Sequence, residues 1–182
     1  MSRQFPLIPL QCLQAIAVCS LLGLLGCSSD MEGTTSFDPA ASRYVFDNGE
    51  NTIVGEAVVT SSFGIRWSCA RWGVSLIPVT SFSTEWMKRT FGNTIGGYTP
   101  LSDLDVFPND GKLLEFSRHV ACDESGKFRL EHVANGEYYI FSKVVWSAQR
   151  ARYGGDLMKS IEVKDGDTKV VSLAKDLSTK AL

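Results

Sequence analysis

The sequence predicts an all-β fold, an antiparallel β-sandwich interrupted by one irregular insertion. Apolar and polar residues alternate with period two in several short runs, most regularly at Ile53, Gly55, Ala57 and Val59. Turn-forming residues punctuate these runs at Gly126, at Asn135-Gly136 and at Lys164-Asp165-Gly166-Asp167. No stretch sustains a long helical period. Short strands at turn-marked intervals are what a two-sheet sandwich requires.

Taken in order, residues 1–26 stand apart. Arg3 is the only charge before Asp30, and Leu13 to Leu25 is almost wholly apolar. That run reads as a secretory signal, too short to span a bilayer comfortably. Residues 27–47 are rich in Ser, Thr, Asp and Gly and read as a flexible tether. The sandwich is expected over 48–177, with the insertion at 81–118.

Within it, Asn51 to Val59 is the first strand, Ser61 to Arg66 a polar connection, and Trp67 to Thr80 a second strand limited by Pro78. In the insertion, Thr84 to Arg89 has the composition for a turn or two of helix with Trp86 packed down. Gly92 to Pro100, with Gly96-Gly97, reads as a loop. Asp110-Gly111 predicts a small hairpin between Leu104 to Phe107 and Leu113 to Val120. The segment from Cys122 to Trp146 then holds two turns and two strands, a short one through Phe128 and Leu130 and a long one from Tyr138. Ser147 to Asp156 reads as a loop. Lys159 to Val163 and Thr168 to Leu173 read as a closing hairpin.

Charge excludes one partner class. With 18 Lys and Arg against 20 Asp and Glu, and no basic stripe, the chain is not built for nucleic acid. Of five cysteines, Cys12 and Cys19 fall in the signal and Cys27 follows it. Cys69 and Cys122 remain, and two thiols in an oxidising compartment favour a disulfide. A metal pair using His119 and Asp123 beside Cys122 is the competing reading, although no zinc spacing brings a second ligand to Cys69.

No catalytic constellation is visible, and no cofactor or metal is expected. His119 and His132, without a second group in register, read as partly exposed strand histidines rather than general bases. Ser61, Ser62 and Ser81 lack a Gly-x-Ser-x-Gly context. The aromatics carry more information. Trp67, Trp86 and Tyr98 lie near loops or strand ends, where flat rings stack on sugars or anchor a protein interface. A core role competes, with Trp72 and Trp86 covering an open edge. Arg150, Arg152 and Tyr153 complete the candidate binding surface.

Two resemblances add to this reading. Leu24-Leu25-Gly26-Cys27 followed by Ser28 and Ser29 resembles a bacterial lipoprotein signal with its lipobox. It implies a diacylglyceryl group on Cys27, and Ser28, not Asp, implies the outer membrane. More than one acyl chain is what holds a protein stably at a bilayer.

The second resemblance covers roughly Asn51 to Ala174. Ile53-x-Gly55-x-Ala57, Val74-x-Leu76-x-Pro78, Asp123-x-x-Gly126-x-Phe128-x-Leu130, Val133-x-x-Gly136-x-Tyr138 and Val163-x-x-Gly166 resemble carboxypeptidase regulatory-like domains. That family is similar in fold to prealbumin and Cna-B sandwiches of about seven strands. Apart from the resemblance, Gly126 permits a tight turn that the Asp123 carboxylate can cap, and the Tyr138 ring can fill the sandwich while its hydroxyl finds a backbone partner. The Tyr-Arg-Gly-Ser motif of the related hydrolases is absent from this sequence. If Trp67 to Thr80 pairs antiparallel with Leu113 to Cys122, Cys69 and Cys122 meet at one end of a sheet. The expected protein is a non-enzymatic, lipid-anchored envelope module for protein interaction, or alternatively a carbohydrate- or peptidoglycan-binding one.

Overall fold

The computed structural model describes residues 35–104 and 110–178. The signal segment 1–26, Cys27 and the first part of the expected tether lie outside the described residues, as do residues 105–109, which include all but the first residue of the expected Leu104 to Phe107 strand. Two sheets pack face to face. One holds β1 (Asn48–Thr60), β2 (Arg66–Ser68), β6 (Lys127–Val133) and β9 (Thr168–Asp176). The other runs β4 (Gly96–Pro100), β8 (Ala151–Val163), β7 (Gly136–Ala148), β3 (Val74–Pro78), β5 (Arg118–Val120). The all-β sandwich expectation holds. The described strands number nine rather than seven because the insertion and its border supply β4 and β5, the two edges of the second sheet.

The core follows the predicted alternation. Ile53, Ala57 and Val59 of β1 are fully buried, in one layer with Phe128 and Leu130 of β6 and Val171 and Leu173 of β9 from the neighbouring strands of the same sheet. From the second sheet, Leu76, Tyr138, Ile140 and Val144 complete this layer. Tyr138 is wholly buried and its hydroxyl donates to Ala134 O at 3.0 Å, so its one polar atom is satisfied. Asp123 caps the following turn as expected, accepting from Lys127 N at 2.8 Å.

Several expectations change. β9 does not return beside β8 as a hairpin partner. It crosses to the other sheet and pairs parallel with β1, from Thr52↔Thr168 to Thr60↔Asp176. Alternation alone cannot distinguish these outcomes, because both bury the same face of β9. The Gly92 to Pro100 loop contains β4, which pairs with β8 from Gly96↔Lys159 to Pro100↔Gly155. The expected hairpin about Asp110-Gly111 is instead α3 (Asp110–Glu115) followed by β5. Trp67 to Thr80 is broken into β2, a 3₁₀ turn at Cys69–Arg71, and β3.

A third layer covers the outer face of the second sheet. The helix α2 (Ser81–Phe91) is longer than the turn or two expected. Thr80 caps it, its hydroxyl accepting from Ser83 N, while Ser83 Oγ accepts from Thr80 N; Gly92 ends it in the left-handed conformation. Phe82 and Met87 are buried against Ile77, Tyr139, Phe141 and Met158. At roughly 2 kcal/mol for each such side chain removed from water, this second cluster explains why the insertion is ordered.

Residues 35–47 also differ from a flexible tether. A one-turn helix, α1 (Pro39–Ser42), and a 3₁₀ turn at Arg43–Phe46 close the end of the sandwich near Gly136. Val45 is buried, the Tyr44 ring lies 5.3 Å from that of Tyr138, and Tyr44 Oη accepts from Val79 N at 2.9 Å. The polar composition that reads as linker hides three apolar anchors, Phe37, Tyr44 and Val45. The chain thus enters β1 at one end of the sandwich, and twelve residues later Thr60 reaches the other, about 40 Å away at ordinary strand rise.

Candidate functional site

That far end carries a cluster of rings. Where a loop from Ser147 to Asp156 is expected, β7 and β8 instead continue as a long hairpin, paired through Trp146↔Tyr153, Ser147↔Arg152 and Ala148↔Ala151. The reversal falls on Gln149 and Arg150, with φ of 50° and 65°. Two consecutive left-handed residues give the turn whose twist suits a two-residue hairpin. Neither is glycine, at a cost of about 1–2 kcal/mol each, so the pairing below the turn has to hold it.

Cross-strand pairing sets Trp146 and Tyr153 side by side, ring centres 6.3 Å apart and 22° from parallel. Trp146 also stacks with Trp67 of β2, 5.4 Å away and within 1° of parallel. Because β2 and β7 belong to different sheets, the ladder Trp67, Trp146, Tyr153 bridges the sandwich at its open end. The buried indole N–H of Trp67 has no hydrogen-bond acceptor among the described residues.

Two clefts flank the Trp67–Trp146 pair. The first, about 620 Å³, is walled by these rings with Tyr98, Tyr153 and Arg152, and its rim carries Phe63 and Ile65 of the β1–β2 turn. Phe63 is 89% exposed and Ile65 54%, an uncommon outlay of apolar surface on a short loop. The second, about 610 Å³, adds Arg71 and Trp72 to the same tryptophan pair and to Arg152. Burial, with the nearby Asp103 and Asp156 carboxylates, raises the pKa of Tyr98, so its hydroxyl stays protonated and able to donate.

Of the candidate residues, Trp67, Tyr98, Arg152 and Tyr153 come together here. Arg150 sits at the hairpin tip and lines neither cleft. Trp86 does not belong: it packs edge-on to Phe141, centroids 5.4 Å apart, in the layer beneath α2, as the core reading has it. Trp72, the other ring in that core reading, is instead 48% exposed and borders the second cleft. Trp146 is the residue that sequence reasoning misses as a site, since it ends an apolar strand. A turn at Gln149-Arg150 pairs it with Tyr153, and that pairing is the signal.

The disulfide reading is realised. Cys69 and Cys122 are bonded, Cα atoms 5.8 Å apart, with β3 and β5 antiparallel between them from Val74↔Val120 to Leu76↔Arg118. Both thiols are consumed, which removes the metal alternative. The bridge pins the 3₁₀ turn at Cys69–Arg71, on which Arg71 borders the second cleft. His119 lies elsewhere, on β5. Ser117 Oγ donates to Leu114 O and so accepts from His119 Nε2 at 3.0 Å, leaving Nδ1 to accept from Ser75 at 2.9 Å. His132 sits in β6 with φ of 56°, its carbonyl accepting from Arg118.

One buried acid directly follows the glycine pair Gly154-Gly155 beneath the rings. Asp156, 3% exposed, has one carboxylate oxygen without a hydrogen bond, and Lys143 Nζ stands 3.6 Å away. Burial pushes its carboxyl up to about 6, with Lys143 opposing. The folded protein therefore keeps a proton that the unfolded chain releases, so stability is fully present below pH 4 and declines as pH rises toward 6. Asp156→Asn is expected to be about 2 kcal/mol more stable than the parent at pH 7.5 and no more stable at pH 4. Urea titrations at the two pH values measure this, and an equal difference at both would refute it.

A solved structure described as a "putative carbohydrate binding protein", from Pseudomonas aeruginosa, superposes on this chain with a TM-score of 0.63 at 27% identity. The alignment covers 78% of this chain and 99% of that one. No protein-family model and no curated protein matches the chain.

Proposed function

We propose that this chain is a non-enzymatic carbohydrate-binding module, held at the outer membrane by lipid on Cys27, with its glycan seated at the ring ladder. The observation that carries the binding reading is the pair of clefts built on stacked Trp67 and Trp146. Sugar rings present flat C–H faces, and an aromatic wall binds them by dispersion and desolvation while hydroxyls reach polar groups at the rim. Tyr98, Ser61, Ser102 and Gln149 supply such groups in the first cleft. The similarity to the Pseudomonas aeruginosa protein supports the same class.

Residues 35–47 meet the sandwich at the end opposite the clefts, which leaves the ring ladder uncovered by them. A protein-interaction module is the second reading, favoured by Phe63, whose exposure exceeds what a sugar site requires.

Variants separate these roles. Trp146→Ala is expected to weaken retention on oligosaccharides at least tenfold while the fold persists. Trp86→Ala is expected to cost about 2–3 kcal/mol of stability and leave affinity unchanged. Glycan-array binding and calorimetry on the soluble domain, paired with thermal melts, provide the measurement. Loss of binding in Trp86→Ala but not in Trp146→Ala would remove the ladder as the site.

A further inference from the structure

We infer that the glycan is acidic, a chain whose sugars bear carboxylate or phosphate substituents, and that Arg152 and Arg71 receive the anion. The inference rests on the carbohydrate reading above and narrows its ligand. Arg152 lines both clefts, and Arg71 lines the second. Among the described residues, neither cleft has an Asp or Glu in its wall. Asp103 and Asp156 influence Tyr98 yet border neither cleft.

The two guanidiniums are also unengaged. Among the described residues, Arg66, Arg89 and Arg129 pair with carboxylates and Arg118 donates to the carbonyls of Glu131 and His132. The side chains of Arg71 and Arg152 make no hydrogen bond or ion pair there, and both residues are exposed. A chain of net charge −2 has no general excess of cations to scatter. Two free arginines converging on the clefts, with no described acid in the walls, match an anionic ligand. Arginine's planar fork suits the two oxygens of a carboxylate or phosphate, and it gains from the adjacent indole faces.

The chemistry sets the geometry of binding. A saccharide laid against Trp146 and Tyr153 in the first cleft continues past the tryptophan pair into the second, where its substituent meets Arg71. The shared Arg152 then bridges successive sugars. A neutral sugar loses that contact.

The test uses the full chain against oligogalacturonate, its methyl ester, which keeps the backbone and removes the charge, and a phosphorylated mannan oligosaccharide. The acidic form of one of these is expected to bind at least about tenfold tighter than the methyl ester, with affinity falling as salt rises. Preference for uronate or for phosphate identifies the source of the anion, and either supports the inference. Arg152→Gln and Arg71→Gln are expected to erase the preference and retain weak binding of the ester, whereas Trp146→Ala removes both. Equal binding of acid and ester, unchanged in the arginine variants, overturns the acidic ligand and leaves the carbohydrate reading standing. Absence of binding to these oligosaccharides and to a broad glycan array overturns both.

Discussion

Replacing Cys69 and Cys122 together by serine is expected to lower stability by about 4 kcal/mol, the chain-entropy value for a bridge closing 53 residues. The loop it closes contains β3, α2, β4, α3 and β5, so without the bridge the unfolded chain regains the freedom of the whole insertion. The native state loses less, since β3 still pairs with β5 and β7. The effect should extend beyond stability. Trp67 and Trp72 lie on either side of the bridged turn, and releasing Cys69 lets their wall of the clefts shift. Glycan affinity of the folded double variant is therefore expected to fall. Urea unfolding of parent and variant, each with and without reductant, tests the claim: reductant should destabilise the parent only. A difference below about 1 kcal/mol between parent and variant would mean that the bridge imposes no constraint on the unfolded chain.

Much of the sandwich is legible in the sequence because one side of each core strand must meet apolar neighbours. Ile53, Ala57 and Val59 announce their face, and Phe128 and Leu130 announce theirs. The misreadings share a physical cause. Gly96-Gly97 and Gly154-Gly155 have the composition of loops, yet both pairs are strand residues, and a neighbouring backbone or ring leaves little room for a side chain at Gly96, Gly154 and Gly155. Gln149-Arg150 lacks the Asn-Gly or Asp-Gly signal of a tight turn, and the turn is held by the thirteen-pair ladder beneath it. The parallel β1–β9 pairing depends on which sheet has a free edge, information that no local window contains.

The site was legible in part for the same reason. Trp67, Tyr98, Arg152 and Tyr153 can be singled out because rings and cations at strand ends are seldom needed by a core. Trp146 cannot, since it directly follows Val144 and Val145 and looks like their continuation. Trp86 misleads in the opposite sense. It lies in the insertion, where exposure is the default expectation, and only the outer face of the second sheet gives it something to cover.

The hairpin glycines decide whether the ladder can form at all. Gly154 has φ of +110°, where an L side chain is strained, and a Cβ there would lie 2.0 Å from Val144 O and 3.0 Å from the Trp146 ring. Gly92 also has positive φ, +70°, but a Cβ there meets nothing within 4 Å. The pair separates backbone strain from collision. Gly92→Ala is expected to cost about 1 kcal/mol, the left-handed penalty alone. Gly154→Ala adds a clash with paired backbone that no rotamer relieves, and is expected to cost more than about 3 kcal/mol. Relief requires β7 and β8 to part at Val144 and Gly154, directly below Trp146↔Tyr153. Near-ultraviolet circular dichroism, which senses the coupled indoles, should therefore lose its tryptophan signal in Gly154→Ala at temperatures where the far-ultraviolet sheet signal persists. Gly92→Ala should keep both. Were the two variants equally mild and their indole signals alike, the close approach at Gly154 would not be what positions the ladder, and the clefts would owe their walls to the disulfide side alone.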